Sequence, residues 1–246
     1  MIIMRDWELE EAVRQRDPKF ALATSFCGAK LTAWSAPAND HLVGGDWCEA
    51  FALSDHLLAL SIGDVCGHGI DASNQMIAIR EVLEAAAHEL RDPAKILARA
   101  NTLAYELVQV MPVTGIVALF DALANTLTFA NAGHPPPLMV GPCGQMFLAR
   151  YPADIPLGIT ADHAATSYVV PVPPETLLVF YTDGVTEHQR DPITGEEQLR
   201  LAAAHTYRYP QGNTAQTIAR RVLSGDSSPD DAAILTIRRP ALINAA

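Results

Sequence analysis

Residues 44–70 read GGDWCEAFALSDHLLALSIGDVCGHGI, and their pattern decides the fold. Two apolar runs, Trp47–Leu53 and Leu57–Ile62, flank a polar Ser54-Asp55-His56 turn, the signature of a β-hairpin. With the turn centred on Asp55, facing residues have numbers summing to about 110, and Asp46 and Asp64 are such a pair. The two strand ends then hold two carboxylates side by side, with Cα atoms roughly 4.5–5.5 Å apart. Each aspartate follows a glycine, Gly45 or Gly63, which permits close approach of backbone or ligand. Paired like charges are costly unless a positive charge sits between them, and a divalent cation would meet that need. Asp beside Gly is also ordinary turn chemistry, so the pair alone leaves a turn and a ligand pair both open.

Beyond Gly69 the apolar spacing changes from two to 3.6. Met76, Ile77, Ile79, Val82, Leu83 and Ala86 predict a helix over about 71–90, with Asp71 near its positive end. Asp92-Pro93 opens a second helix with Ile96, Leu97, Ala100, Leu103, Ala104 and Leu107 on one face. The short break between them predicts an antiparallel pair lying on a sheet. Strands follow at 114–120 and 126–130 around the turn DALAN, then at 145–149. The prolines of NAGHPPPLMVG (131–141) forbid helix and limit pairing to an edge. Residues 167–172 and 176–181 predict a third hairpin, followed by helices at 196–205 and 214–223 and a last strand at 233–238. On the N-terminal side, 19–36 predicts one or two strands broken at Gly28, and Asp6 caps a short helix ended before Pro18. Hairpins dominate, so the class is α+β, with two packed, largely antiparallel sheets and helices outside.

Composition sets the limits. A chain of 246 residues with 49% hydrophobic residues suits one large domain with a sizeable core. No apolar run approaches ~18 residues, so no membrane span is expected. The N-terminus lacks the pattern of a secretory signal. Cys27, Cys48, Cys66 and Cys143 show no CxxC spacing and fit free thiols in a reducing cytoplasm. A net charge of −11 argues against nucleic acid or an anionic membrane as partner.

Asp46, Asp64, Asp183 and Asp230 (or Asp231) share one context, the end of a strand beside Gly or a second acid. Strands can hold such groups rigidly on one rim of a sandwich. Hard oxygen donors without a His/Cys cluster suit Mg²⁺ or Mn²⁺ rather than zinc. Four aspartates around two ions ~3.5–4 Å apart would activate a water for in-line attack on phosphorus.

GGDW…IGDVCGHG, FANAGHPPPL, LVFYTDGVTE and PDDAAILTI, in this order, resemble the metal-dependent (PPM, type 2C) serine/threonine phosphatases in their bacterial SpoIIE/RsbU branch. The resemblance covers about residues 30–239, leaving 1–29 as an N-terminal helix/strand extension and 240–246 as a tail. It implies an αββα sandwich with two Mn²⁺ or Mg²⁺ ions at one rim. It also implies ligation by Asp46, Asp64, the Val65 carbonyl, Asp183 and Asp230, with Asp64 nearest the bridging position and Asp231 supporting from behind. His68, in the loop CGHGI, stands where the family commonly carries Lys or His. It could bind phosphate or protonate the leaving alkoxide, or be a loop histidine satisfied by backbone. His134 and Cys66 are expected to pack rather than react. The early-strand arginine with which eukaryotic relatives hold phosphate has no clear match; Lys30 and Arg16 lie in that region.

By the same resemblance the substrate is a phosphoserine or phosphothreonine protein, in this branch an anti-sigma factor antagonist with a STAS domain. About 30 residues precede the match, too few for a sensor domain. Control is therefore expected from a separate activator protein or through the helices at 71–107, and a homodimer is compatible with the family. A pseudophosphatase that only binds, and a two-metal phosphoesterase for small molecules, are the alternatives. The absence of GxxxxGK[ST] argues against a kinase or NTPase.

Overall fold

A computed structural model describes residues 20–38, 43–106, 111–188, 190–223 and 230–241. The predicted helix around 6–17 lies outside them. Among the described residues eleven strands form two sheets. The first has the order β1-β2-β11-β10-β7-β8 and the second β3-β4-β5-β6-β9, with every neighbouring pair antiparallel. Along the chain these are β1 (Phe20–Phe26), β2 (Ala29–Ala36), β3 (Trp47–Ala52), β4 (Leu57–Val65), β5 (Val113–Asp121) and β6 (Thr126–Ala132). Then come β7 (Leu138–Val140), β8 (Met146–Leu148), β9 (Tyr168–Pro171), β10 (Leu177–Tyr181) and β11 (Ala232–Arg238). The helices are α1 (Ile70–Leu90), α2 (Pro93–Glu106), the single turn α3 (Asp183–Thr186), α4 (Pro192–Arg208) and α5 (Thr214–Val222).

Three apolar clusters order these elements into four layers. Between the sheets lie Leu60, Ile62, Ile116, Phe120, Phe129, Leu178, Phe180 and Leu235. Outside the second sheet, Ile79 and Leu83 of α1 and Ile96 and Leu97 of α2 cover Val117 and Leu119. Outside the first, Leu199 of α4 and Ile218 and Val222 of α5 cover Val179 and Ile234. Successive residues of β5 and β10 therefore point into different apolar layers, which explains their unbroken hydrophobic runs. The result is the predicted αββα sandwich.

The 47–65 hairpin has the predicted register. Trp47 pairs with Gly63, and Val65 N donates to Gly45 O at 3.4 Å, so Asp46 and Asp64 face each other at its open end. A buried polar chain fastens this hairpin to α1. Trp47 Nε1 donates to Ser61 Oγ (3.0 Å), Ser61 Oγ to Glu49 Oε1 (2.7 Å), and Arg80 Nε of α1 to Glu49 Oε2 (3.2 Å). Burial outweighs the Arg80 charge and lifts the Glu49 carboxyl to about 7.

Three expectations are corrected. Residues 167–181 form no hairpin, because β9 pairs with β6 in the second sheet whereas β10 lies between β11 and β7 in the first. All five residues of β10 are buried, so it belongs at a sheet centre, and Pro173-Pro174 carries the chain between the layers. The strand after the prolines is no edge either. Pro135–Pro137 precede β7, leaving its amides free to pair with β10 and β8. Finally, α4 starts four residues before the predicted Glu196, because Asp191 accepts from Ile193 N and Thr194 N as a cap and Pro192 begins the first turn.

Phe180, 1% exposed at the centre of the inter-sheet core, tests this layering. Its replacement by alanine is expected to cost about 3–5 kcal/mol in urea unfolding. A loss below about 1 kcal/mol would contradict a packed contact between the sheets.

Candidate metal centre

Four strand ends meet at one rim of the sandwich. In the second sheet, Asp46 immediately precedes β3 and Asp64 sits near the end of β4, opposite Thr114 of β5. In the first, Asp183 opens α3 two residues after β10, and Asp230-Asp231 leads into β11. Tyr181 pairs with Ile234, so the last two carry their acids to the same end.

Asp231, 3% exposed, ties the two sheets together there. Its Oδ1 accepts from Ala38 N, just past β2, and its Oδ2 from Gly45 N, just before β3, both at 2.7 Å. Both oxygens are thus engaged by backbone, which fits support rather than direct ligation. Asp230 is exposed, and its Oδ1 accepts from Asp231 N at 2.8 Å. The glycines beside the acids have steric reasons. A Cβ on Gly45 would lie 2.7 Å from Val65 O, and one on Gly184 would overlap Asp231 O.

Electrostatics mark the rim as short of positive charge. Burial, then the Asp64 charge, drives the Asp46 carboxyl well above its ordinary range, against a hydrogen bond from Thr182. Burial and the Asp183 charge lift Asp64 to about 7. Asp183 is raised by burial and by Asp230. Asp46 Oδ2 is buried and meets no donor. Among the described residues no three His, Cys, Asp or Glu side chains converge as a ready metal cage. The acids instead crowd one space, where, beyond burial, the charges of Asp183, Asp230 and Asp231 raise Asp64 and a hydrogen bond with Asp46 lowers it. An orphaned carboxylate oxygen, an all-oxygen donor set and mutually raised carboxyls fit a hard divalent cation such as Mg²⁺ or Mn²⁺.

The remaining candidates divide. Val65 is buried beside Asp64, its carbonyl oxygen against Gly45. His68 is exposed in the loop between Asp64 and α1. Cys66 is exposed in that loop, and burial and Asp64 raise its thiol, which argues against a nucleophile. Lys30 is far from the rim. It pairs with Arg238, at the opposite end of β11 and about 23 Å of strand from Asp231, and its ammonium bonds Gly212 O. Arg16 lies outside the described residues. The sequence reading missed Thr182, fully buried, which bonds Asp46 and accepts from Ala233 N at 2.8 Å. Its one signal was its place directly before Asp183.

A family model described as Stage II sporulation protein E (SpoIIE) matches residues 54–240. The chain is similar to "Phosphoserine phosphatase RsbU" of Bacillus subtilis (strain 168), 26% identical over 158 residues that make up 64% of this chain and 46% of that protein. It thus spans just under half the length of this curated relative. Among solved structures, the RsbU and RsbW domains of Rv1364c from Mycobacterium tuberculosis match with TM-score 0.78 at 25% identity, over 91% of this chain and 62% of that one. RsbX in complex with magnesium matches with TM-score 0.70 at 17% identity, over 89% and 100%, a likeness of fold.

The raised carboxyls give the site a pH signature. The folded chain holds protons that the unfolded chain releases above the ordinary carboxylate range, so in EDTA stability falls as pH rises from about 4 through about 7. A cation replaces those protons, so Mn²⁺ is expected to raise Tm more at about pH 8 than at about pH 5.5. Equal shifts in scanning fluorimetry at the two pH values would contradict this assignment.

Proposed function

The chain belongs to the Stage II sporulation protein E (SpoIIE) family, and from that premise we propose that it is a metal-dependent protein phosphatase hydrolysing phosphoserine or phosphothreonine. The observation that carries the reading is the rim where Asp46, Asp64 and Asp183 are raised together and Asp46 Oδ2 has no donor. In this reading residues 30–239 form the phosphatase domain. Asp46, Asp64, Asp183 and Asp230, with the Val65 carbonyl, supply oxygen ligands for two Mn²⁺ or Mg²⁺ ions. When bound, the ions supply Lewis-acid charge and a water nucleophilic at neutral pH.

The chain's own groups set the geometry. Asp231 holds Gly45, and so the start of β3, against the first sheet. Thr182 orients Asp46. His68, exposed in the loop between Asp64 and α1, would offer an imidazole to bind phosphate or give a proton to the departing serine or threonine oxygen. The described rim segments that carry the acids hold no lysine or arginine, and in this reading the ions and His68 bind the phosphate.

The substrate we propose is a phosphorylated anti-sigma factor antagonist with a STAS domain, acted on in the cytoplasm within a partner-switching pathway. Support comes from the similarity to RsbU, named a phosphoserine phosphatase, and to the RsbU and RsbW domains of Rv1364c. Among the described residues no helix is long and apolar enough to cross a membrane. A separate activator acting on α1 and α2 is the regulation this reading favours, and a homodimer is compatible with it.

Phosphate release from a phosphoserine STAS protein, after EDTA treatment and with Mn²⁺ or Mg²⁺ restored, tests the reading. Wild type is expected to turn over only with metal. Asp64→Asn is expected to lose more than the roughly 10–100-fold that removing an outer partner of a metal site costs. Hydrolysis confined to nucleotides or small phosphate esters would make it a small-molecule phosphoesterase. Tight binding of the phosphoprotein without release would make it a binding module.

A further inference from the structure

His134 is 4% exposed and belongs to none of the proposed ligands, yet it is held with unusual completeness. Its backbone N donates to Asn131 Oδ1 at 2.7 Å, and its carbonyl accepts from Asn131 Nδ2 at 2.8 Å. Gly133, at φ +69°, turns the chain between them with Pro156 packed against it. The loop 131–134 thus presents one imidazole in one orientation.

That ring packs against the strand pair that carries Asp64. Its Nδ1 is 2.8 Å from Thr114 Oγ1, and Thr114 is the cross-strand partner of Asp64. Residues paired across an antiparallel ladder share a face, and Ile62 and Ile116 of that face line the inter-sheet core. Asp64 and Thr114 therefore both turn toward the opposite sheet. On that sheet the polar group facing the ring is the backbone of Tyr181, two residues before Asp183 and next to Thr182. Nε2 is buried with no partner of ordinary hydrogen-bond geometry. Burial lowers the imidazole to about 3, against the Tyr181 backbone, so the ring is neutral and adds no charge to the acids.

We propose that His134 is a positioning residue, a spacer between the sheets that, through Thr114 on one side and the Tyr181–Asp183 segment on the other, sets the separation of Asp64 and Asp183 to suit the ions. The inference rests on the proposed metal site and names no contact of His134 with ion or substrate. A hydrogen-bonded imidazole suits the role because it is rigid, flat and polar at both edges. Leucine would fill the space but leave the Thr114 hydroxyl without its partner.

Mn²⁺ titration by calorimetry tests this apart from catalysis, on EDTA-treated protein whose folding is checked by circular dichroism. Thr114→Val, which removes the hydroxyl at nearly constant volume, and His134→Ala are each expected to weaken Mn²⁺ binding about 10-fold. The double variant is expected to be no weaker than His134→Ala, because the two act as one unit. His134→Gln, which keeps a polar group toward Thr114, is expected to recover part of the loss. If His134→Ala does not fold, Thr114→Val alone still decides. Unchanged Mn²⁺ affinity in folded Thr114→Val, or additive losses in the double variant, would overturn the inference. Absence of Mn²⁺ binding in wild type would instead overturn the proposed function and this inference with it.

Discussion

Like charges held together out of water are the constraint on which the rest of this structure depends. Asp46, Asp64 and Asp183 come from three strand ends in two different sheets, and each is pushed toward its protonated form by burial and by another acid. Left to itself such a cluster would spread or take up protons. It is kept in place by apolar layers on both sides of each sheet and by the hydrogen bonds of Asp231 to Ala38 and Gly45. The unfavourable electrostatics of the rim and the favourable burial of the sandwich therefore belong to one design. Packing stabilises an arrangement that suits the cation we propose for it.

Both sheets contribute, so the site depends on their relative placement more than on either alone. Three devices set it. Inter-sheet side chains such as Phe120, Phe129 and Phe180 fix the spacing in the core. Asp231 fixes it at the rim, and His134, bonded to the cross-strand partner of Asp64, is the spacer we propose there. The Trp47–Ser61–Glu49–Arg80 chain then joins the hairpin bearing Asp46 and Asp64 to α1. A movement of α1 would reach the hairpin that carries those two acids through bonded side chains, a physical route for the activator we propose on the outer helices.

Much of this was legible in the sequence because its signals are local. The 44–70 stretch carries its own register, since alternation about Asp55 pairs Asp46 with Asp64 without reference to the rest of the chain. The periods of α1 and α2 are likewise self-contained. The misses concern relations that only tertiary packing decides. Tyr168–Pro171 and Leu177–Tyr181 look like a hairpin because they are two apolar runs around a turn, yet a strand covered on both faces joins the sheet that can cover it. The role of Thr182 and the backbone partners of Asp231 were hidden for a similar reason. Their partners are 51 and 186 residues away along the chain, and hydroxyl or carboxylate contacts with backbone leave no periodic trace. Lys30, close to the site in sequence order, lies at the other end of the strand ladder.

Anomalous scattering from crystals grown with Mn²⁺ tests the central claim most directly. The account predicts two peaks about 3.5–4 Å apart, both in contact with Asp64 and flanked by Asp46 and Asp183. No peak at this rim, or ions bound elsewhere while Asp46 Oδ2 stays without a partner, would contradict it.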